Sequence, residues 1–252
     1  MRLIQSVPFR GARRYALSVA LAMLVVGATA VLLMALVPGN KVVAVALLTL
    51  SAILGFGVGA TMVWRELTGR RRRSEAGDDL VRMLAPAFDD SYTLVLSPRL
   101  PGVPSDLAAL LVGPAGVRAF IARRWHGRYR VRGRGWELDT RSRAGWIPTI
   151  TNPSFDADAV TDAVIRWSRA AHDDPTVSIT PAIAFPRSKT TVILEEPIGE
   201  IVTTDNAPWW AQSIGRVQRL DAHRAARFLE GVVSAAEAEA NGTARSTSPR
   251  VA

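Results

Sequence analysis

The sequence predicts a membrane-embedded α-helical hairpin followed by one α/β domain. Three observations carry this. Two long uncharged apolar runs stand close together near the N-terminus. The remaining chain alternates between strand-like and helix-like apolar periods. Its length is that of one ordinary domain, enough to bury a proper core.

The two runs are Tyr15–Val37 and Val42–Trp64, each 23 residues without a charge. Each exceeds the roughly 20 apolar residues that cross a hydrocarbon layer about 30 Å thick. A cleaved leader has a shorter apolar stretch of about 7–15 residues, and no second run directly behind it. Only Pro38-Gly39-Asn40-Lys41 separates the runs, so the link forces an antiparallel hairpin. Arg2, Arg10, Arg13 and Arg14 precede the first run, and Arg65, Arg70, Arg71, Arg72 and Arg73 follow the second. The turn holds Lys41 alone. The excess of basic residues outside the hairpin predicts a multi-pass protein with both termini in the cytoplasm. Gly55 and Gly59 have the spacing that lets membrane helices approach closely, which gives the hairpin a surface for packing on itself, on a second copy, or on another membrane protein. The Arg70–Arg73 run reads as a stop-transfer signal that also meets anionic lipid head groups.

The 252-residue chain carries a formal net charge of +9 and no cysteine. The missing cysteines exclude disulfides, thiolate chemistry and Cys-based zinc sites. Lys41 and Lys189 are the only lysines. This arginine bias in an Ala- and Val-rich chain suggests a GC-rich bacterial genome, and with the hairpin it places the protein in a bacterial inner (cell) membrane.

The expected organisation is a cytoplasmic N-terminus over 1–14, the hairpin over 15–64, a basic juxtamembrane linker over 65–74, the α/β domain over 75–240 and a disordered tail over 241–252. A helix begins near Glu75 and is limited by Pro86. Strands are expected at Ser91–Ser97, Leu107–Val112, Val117–Ala122, Tyr129–Val131 and Gly135–Leu138, which as sequential strands favour an antiparallel meander. Asn152-Pro153-Ser154 opens a long helix. Strands follow at Val177–Phe185, Thr191–Leu194 and Ile198–Thr203. Asp205 or Asn206 caps a short helix with Trp209 and Trp210, and Asp221 caps a last helix to about Ala240. A sheet flanked by helices results.

Four pieces resemble the nuclease-related domain family, known as NERD. Gly77-Asp78 stands where that family has Gly-Glu at the start of a helix. Leu110-Leu-Val-Gly-Pro-Ala-Gly-Val117 is similar to its strand, Gly-Pro turn and strand. Arg123-Arg-Trp-His-Gly127 resembles its Lys-Asn-Trp-x-Gly, and Asn152-Pro153 precedes a helix as it does there. The resemblance covers most of residues 75–235 in outline. It implies a restriction-endonuclease-like mixed sheet flanked by helices. It also implies a site with a carboxylate on one strand and a Glu-x-Lys unit on the next, where two carboxylates hold a divalent metal that activates water. In this chain those positions are Ala108, Ile121 and Arg123. Alanine and isoleucine bind no metal, and arginine stays protonated. The resemblance therefore implies a pseudoenzyme with no cofactor. Asp106, two residues before Ala108 and so expected on the same strand face, is with Arg123 the remaining catalytic candidate. Magnesium enters only if a displaced carboxylate such as Asp106 supports a working nuclease.

No other constellation competes. His126, His172 and His223 lack metal-ligand spacing, Ser97, Ser154 and Ser168 lack a nucleophile-elbow context, and Gly113-Pro-Ala-Gly116 lacks the length and lysine of a phosphate loop. Arg123, Arg124, Trp125, Arg128, Tyr129, Arg130 and Arg132 interleave guanidinium groups with aromatic rings and form the candidate nucleic-acid surface. The competing reading is a twisted hairpin with a basic polar face. Glu137 and Asp139 read as a solvated strand edge. Three functions remain open: a membrane-tethered binding or scaffolding module, with nucleic acid as one ligand; a metal-dependent nuclease; and a structural partner of another membrane protein.

Overall fold

A computed structural model describes residues 1–5, 75–171, 177–187, 189–216 and 218–241. The chain divides into two compact units, Met1–Val7 with Arg73–Ala252, and Pro8–Arg72. The second unit, and with it both apolar runs, lies outside the described residues, as does the tail from 242. Among the described residues, no helix is long and apolar enough to cross a membrane.

The first unit is a mixed α/β domain with two sheets flanked by helices. The larger sheet has six strands in the order β1 (Arg2–Gln5), β2 (Thr93–Leu96), β3 (Leu107–Gly113), β4 (Gly116–Ala122), β8 (Ile179–Phe185) and β10 (Glu200–Thr203). β3 runs against the other five; β1–β2, β4–β8 and β8–β10 are parallel pairs. The smaller sheet has the order β7 (Trp146–Pro148), β6 (Gly135–Asp139), β5 (Gly127–Gly133) and β9 (Thr190–Pro197), with β9 parallel to β5. The helices are α1 (75–84, continued by a 3₁₀ turn over Ala85–Ala87), α2 (Pro153–Ala171), α3 (Ala207–Gly215) and α4 (Ala222–Asn241).

The large sheet is apolar on both faces, as a sheet covered on both sides must be. One face carries Val95, Leu110, Val117, Ala119, Ile121, Ile183 and Phe185 against Val160 and Val164 of α2 and Phe228 and Val232 of α4. The other carries Leu94, Leu111, Phe120 and Val202 against Leu80 and Leu84 of α1 and Trp210 and Ile214 of α3. Removing each such large side chain from water contributes roughly 1.5–3 kcal/mol. One charged pair is enclosed on the second face. Arg118, 5% exposed, meets Glu200 (3.2 Å) and donates to the carbonyl of Ala115, while the Trp210 indole donates to the same Glu200.

Sequence expectation and structure differ in several places, among them the unexpected strand β7 and three that shape the sheets. Arg2–Gln5, assigned above to a separate N-terminal segment, forms the edge strand of the domain's own sheet. A four-residue strand is too short to announce itself by periodicity. The strands divide between two sheets instead of one, because the chain turns sharply after β4. At that corner Gly127 has φ +117°, a backbone state that L side chains rarely adopt. Thirdly, Asn206 makes no cap bond to α3. Its Oδ1 accepts the amide of Thr203 and its Nδ2 donates to the carbonyl of Ile201, fastening the end of β10 instead.

Other local signals hold. Asn152 Oδ1 accepts the Ser154 amide (2.9 Å) where α2 begins. Asp221 Oδ1 accepts the Arg224 amide (2.9 Å) before α4. That bond, against a small desolvation cost at this exposed group and with help from the nearby Arg224 charge, holds the Asp221 carboxyl below the usual carboxylate range. A depressed native pKa stabilises the fold above the unfolded value of about 3.9, and the contribution disappears as pH falls through the lower native one. Asp221→Asn, an equivalent cap without the charge, is expected to flatten the acid end of the stability curve. Helical circular dichroism followed from pH 5 to pH 2 in both proteins checks this.

A second expectation concerns Gly113. A Cβ at this position would overlap the Tyr92 ring. Gly113→Ala is therefore expected to lower stability by about 1–3 kcal/mol, as overpacking of a filled core does. Thermal unfolding followed by tryptophan emission measures it; an unchanged midpoint would contradict the packing described.

Candidate functional site at the end of strand β4

The candidate residues gather where β4 ends. Side chains alternate between the two faces of an extended chain. Ile121 lies on the α2 face of the sheet, so Arg123 follows on that side and Arg124 falls on the α1 side. Their partners confirm the split. Arg123 meets Asp156 in the first turn of α2 (2.5 Å) and Asp106 just before β3 (3.4 Å). Arg124 meets Glu75 (2.8 Å) and Asp79 (3.6 Å) of α1, and Arg187, which follows β8, shares the same two carboxylates (3.8 and 3.1 Å).

The three positions corresponding to metal-ligand and lysine sites do not form one cluster. Ile121 is fully buried on the α2 face. Ala108 packs toward the opposite, α1 face. A register irregularity between Leu107 and Ala109 breaks the alternation there. It also corrects the expectation that Asp106 shares a face with Ala108: β3 begins at Leu107, and Asp106 in the preceding turn reaches Arg123 on the α2 side. A divalent cation does not fit this donor set. Two of the three positions offer no oxygen, and Asp106 and Asp156 face a guanidinium between them. Among the described residues, no three acidic or histidine side chains converge in a way that would hold a metal ion.

The remaining members of the basic segment lie along β5. Arg128, Arg130 and Arg132 alternate on its outward face and each meets an acid on a neighbouring strand. Arg128 pairs with Asp139 of β6 (3.6 Å), Arg130 with Glu137 of β6 (2.7 Å), and Arg132 with Glu195 of β9 (2.7 Å). The guanidinium groups of Arg128 and Arg130 also stand over the Trp146 ring of β7, at 5.7 and 4.7 Å. Glu137 and Asp139, read above as a solvated edge, are thus the partners of this arginine row.

The aromatic members point the other way. The Trp125 ring packs against Tyr129, Trp136 and Phe185, with centroids 4.8, 5.8 and 5.9 Å away. Tyr129 is buried, and burial pushes its phenol above the ordinary range. Trp136 donates to Ser154 Oγ at the start of α2 (2.9 Å). These rings join the two sheets. Trp210 is likewise core, while its neighbour Trp209 is 71% exposed.

Sequence reasoning identified the arginines and missed their partners: Glu75, Asp79, Asp156 and Glu195. For β5 a signal existed. Arg128, Arg130 and Arg132 repeat every second residue, as do Glu137 and Asp139 across the short turn, which is the pattern of opposite charges facing each other on adjacent strands. For Arg123 and Arg124 nothing local pointed to carboxylates on two helices. Comparison with protein-family models, with curated proteins and with solved structures finds no match to this chain.

The Arg123–Asp156 bond is half-shielded, with 18% and 43% of the two side chains exposed. Arg123→Ala is expected to lower stability by about 1 kcal/mol, discounted for solvent screening. Little further loss is expected when Asp156 is already asparagine. A double-mutant cycle in denaturant reads the coupling directly; additive losses would show that the pair contributes nothing.

Proposed function

We propose that this chain is a membrane-anchored, non-catalytic relative of the nuclease-related domain that serves as a binding or scaffolding module on the cytoplasmic face of a bacterial inner membrane. The observation that carries the non-catalytic part is the Arg123 guanidinium between Asp106 and Asp156. Alanine and isoleucine stand at the two carboxylate positions, and the guanidinium at the lysine position takes up the acids that could replace them. It compensates the two carboxylates, yet it cannot supply a metal-activated water.

Several features support the fold assignment within this reading. Apart from β5–β7, which form the second sheet, the order from α1 is a helix, three antiparallel strands, a helix and a strand parallel to the third. β3 and β4, which carry Ala108, Ile121 and Arg123 at or beside their ends, are adjacent in the sheet, as the resemblance requires. The Trp125–Gly127 corner has a structural role that explains its presence without catalysis. The two apolar runs support the anchor, and the positive-inside arginines support its orientation.

A protein partner suits the surface better than nucleic acid. Binding to phosphates relies on guanidinium groups available for exchange with counterions. Here the arginines of the basic segment are matched by carboxylates on neighbouring elements. Full-length protein in nanodiscs, mixed with DNA or RNA and Mg²⁺ or Mn²⁺, is expected to leave the nucleic acid intact. Metal-stimulated cleavage that disappears in Asp106→Ala would reject the proposal in favour of a nuclease. Gel retardation that persists at physiological salt and weakens in Arg128→Ala and Arg132→Ala would redirect it to nucleic-acid binding.

A further inference from the structure

The described residues that flank segment 6–74 on either side belong to one sheet and its covering helix. On one side, Arg2–Gln5 pair in parallel with Thr93–Leu96, residue for residue. The Arg2 amide donates to the Tyr92 carbonyl (2.9 Å), and the Met1 amino group donates to the Phe88 carbonyl and to Asp90 Oδ1 (3.2 and 3.0 Å). Ile4 packs against the α2 side of the core and Met1 against the α1 side. On the other side, Glu75 of α1 is fastened to Arg124 and Arg187. Two residues on, a Cβ at Gly77 would touch Leu96 Cδ1 at 3.4 Å. Leu96 is also the register partner of Gln5. The chain therefore leaves the domain and returns to it at adjoining points, at the end of the sheet where Arg123 and Arg124 lie.

We infer that β1 is a latch: it holds the stretch before the anchor in the domain's sheet, so that segment 6–74 is a closed excursion fixed at both ends. This rests on the membrane reading above only for its consequence in the bilayer. An excursion that leaves and rejoins one folded body crosses a membrane an even number of times. The N-terminal strand and the C-terminal helices then share one side, by a constraint independent of the arginine count. Glu75, whose carboxylate neutralises Arg124, stands where the chain rejoins the domain.

The chain has no cysteine, so introduced thiols are the only ones. Leu3→Cys with Leu94→Cys, and separately Arg2→Cys with Thr93→Cys, place thiols on register partners from the two faces of the sheet. Adjacent strands, about 4.8 Å apart, bring such pairs within disulfide reach. Each pair is built into the full-length chain with a protease site replacing the Pro38–Lys41 turn, oxidised in native membranes, then solubilised and cleaved. The two pieces are expected to stay joined at the mass of one chain at least tenfold more often than in a Leu3→Cys/Trp209→Cys control. Separation at the control level in both pairs, or joined products only at twice the mass, overturns the latch. An impermeant maleimide on inside-out vesicles is expected to label Leu3→Cys and Trp209→Cys from the same side; labelling from opposite sides also overturns it. Labelling of Asn40→Cys from that same side, or release of the chain by a high-salt wash, would sink the membrane reading and leave the latch to stand on the crosslink.

Discussion

The corner at Trp125–Gly127 is the constraint on which the rest of the domain depends. β4 ends against the Phe185 end of β8, and the Arg123 amide still donates to the Ala184 carbonyl there. Gly127 then takes the chain into the second sheet at a positive φ. The Thr190 hydroxyl donates to the Trp125 carbonyl, so β9 is tied to the same corner from its other side. Without this bend, β5 would extend the first sheet, Trp136 would lose Phe185, and α2 would lose the indole that bonds Ser154. The corner also sets which residue of the Arg123-Arg124 pair faces which helix.

Charge in this domain is organised by that geometry. A chain with a net charge of +9 would ordinarily suggest a large positive surface. Instead the arginines after β4 and along β5 are matched one by one. Two helices and the turn before β3 supply the acids for Arg123 and Arg124, and two neighbouring strands supply those for the β5 row. Exposed pairs of this kind contribute little to stability individually, generally below about 1 kcal/mol. Their greater effect is on recognition, because a polyanion would have to displace a carboxylate at each contact. The Arg118–Glu200 pair differs: Arg118 is buried and Glu200 half-buried, so removal of Glu200 would leave the Arg118 charge enclosed with only the Ala115 carbonyl.

Most elements were legible because their signals are local. The apolar run Leu107–Val112, the Gly-Pro turn behind it, the helical spacing of Val160, Val164 and Trp167, and the Asp221 cap each occupy a few neighbouring residues. What was not legible depends on distant ones. β1 is four residues long and is a strand because Thr93–Leu96 offers it an edge. The side on which Ala108 falls depends on an irregularity that spacing cannot reveal. The basic segment read as a phosphate-facing surface because its arginines are contiguous in sequence, while the carboxylates that match them come from residues 75–79, 106, 137–139, 156 and 195. The membrane hairpin lies outside the described residues and rests on the length of its apolar runs and the arginines around them.

The pairing of β1 with β2 has a consequence for the order of events during synthesis. Met1 and Asp90 are 89 positions apart. At roughly 5–20 residues per second, about 4–18 s pass between the appearance of one and of the other. The β2–β3–β4 meander closes short loops and assembles on its own once made. β1 has no partner in the sheet until β2 is made. β1 therefore waits for its neighbour through the synthesis of the intervening chain, and the edge of β2 stands open until the two meet.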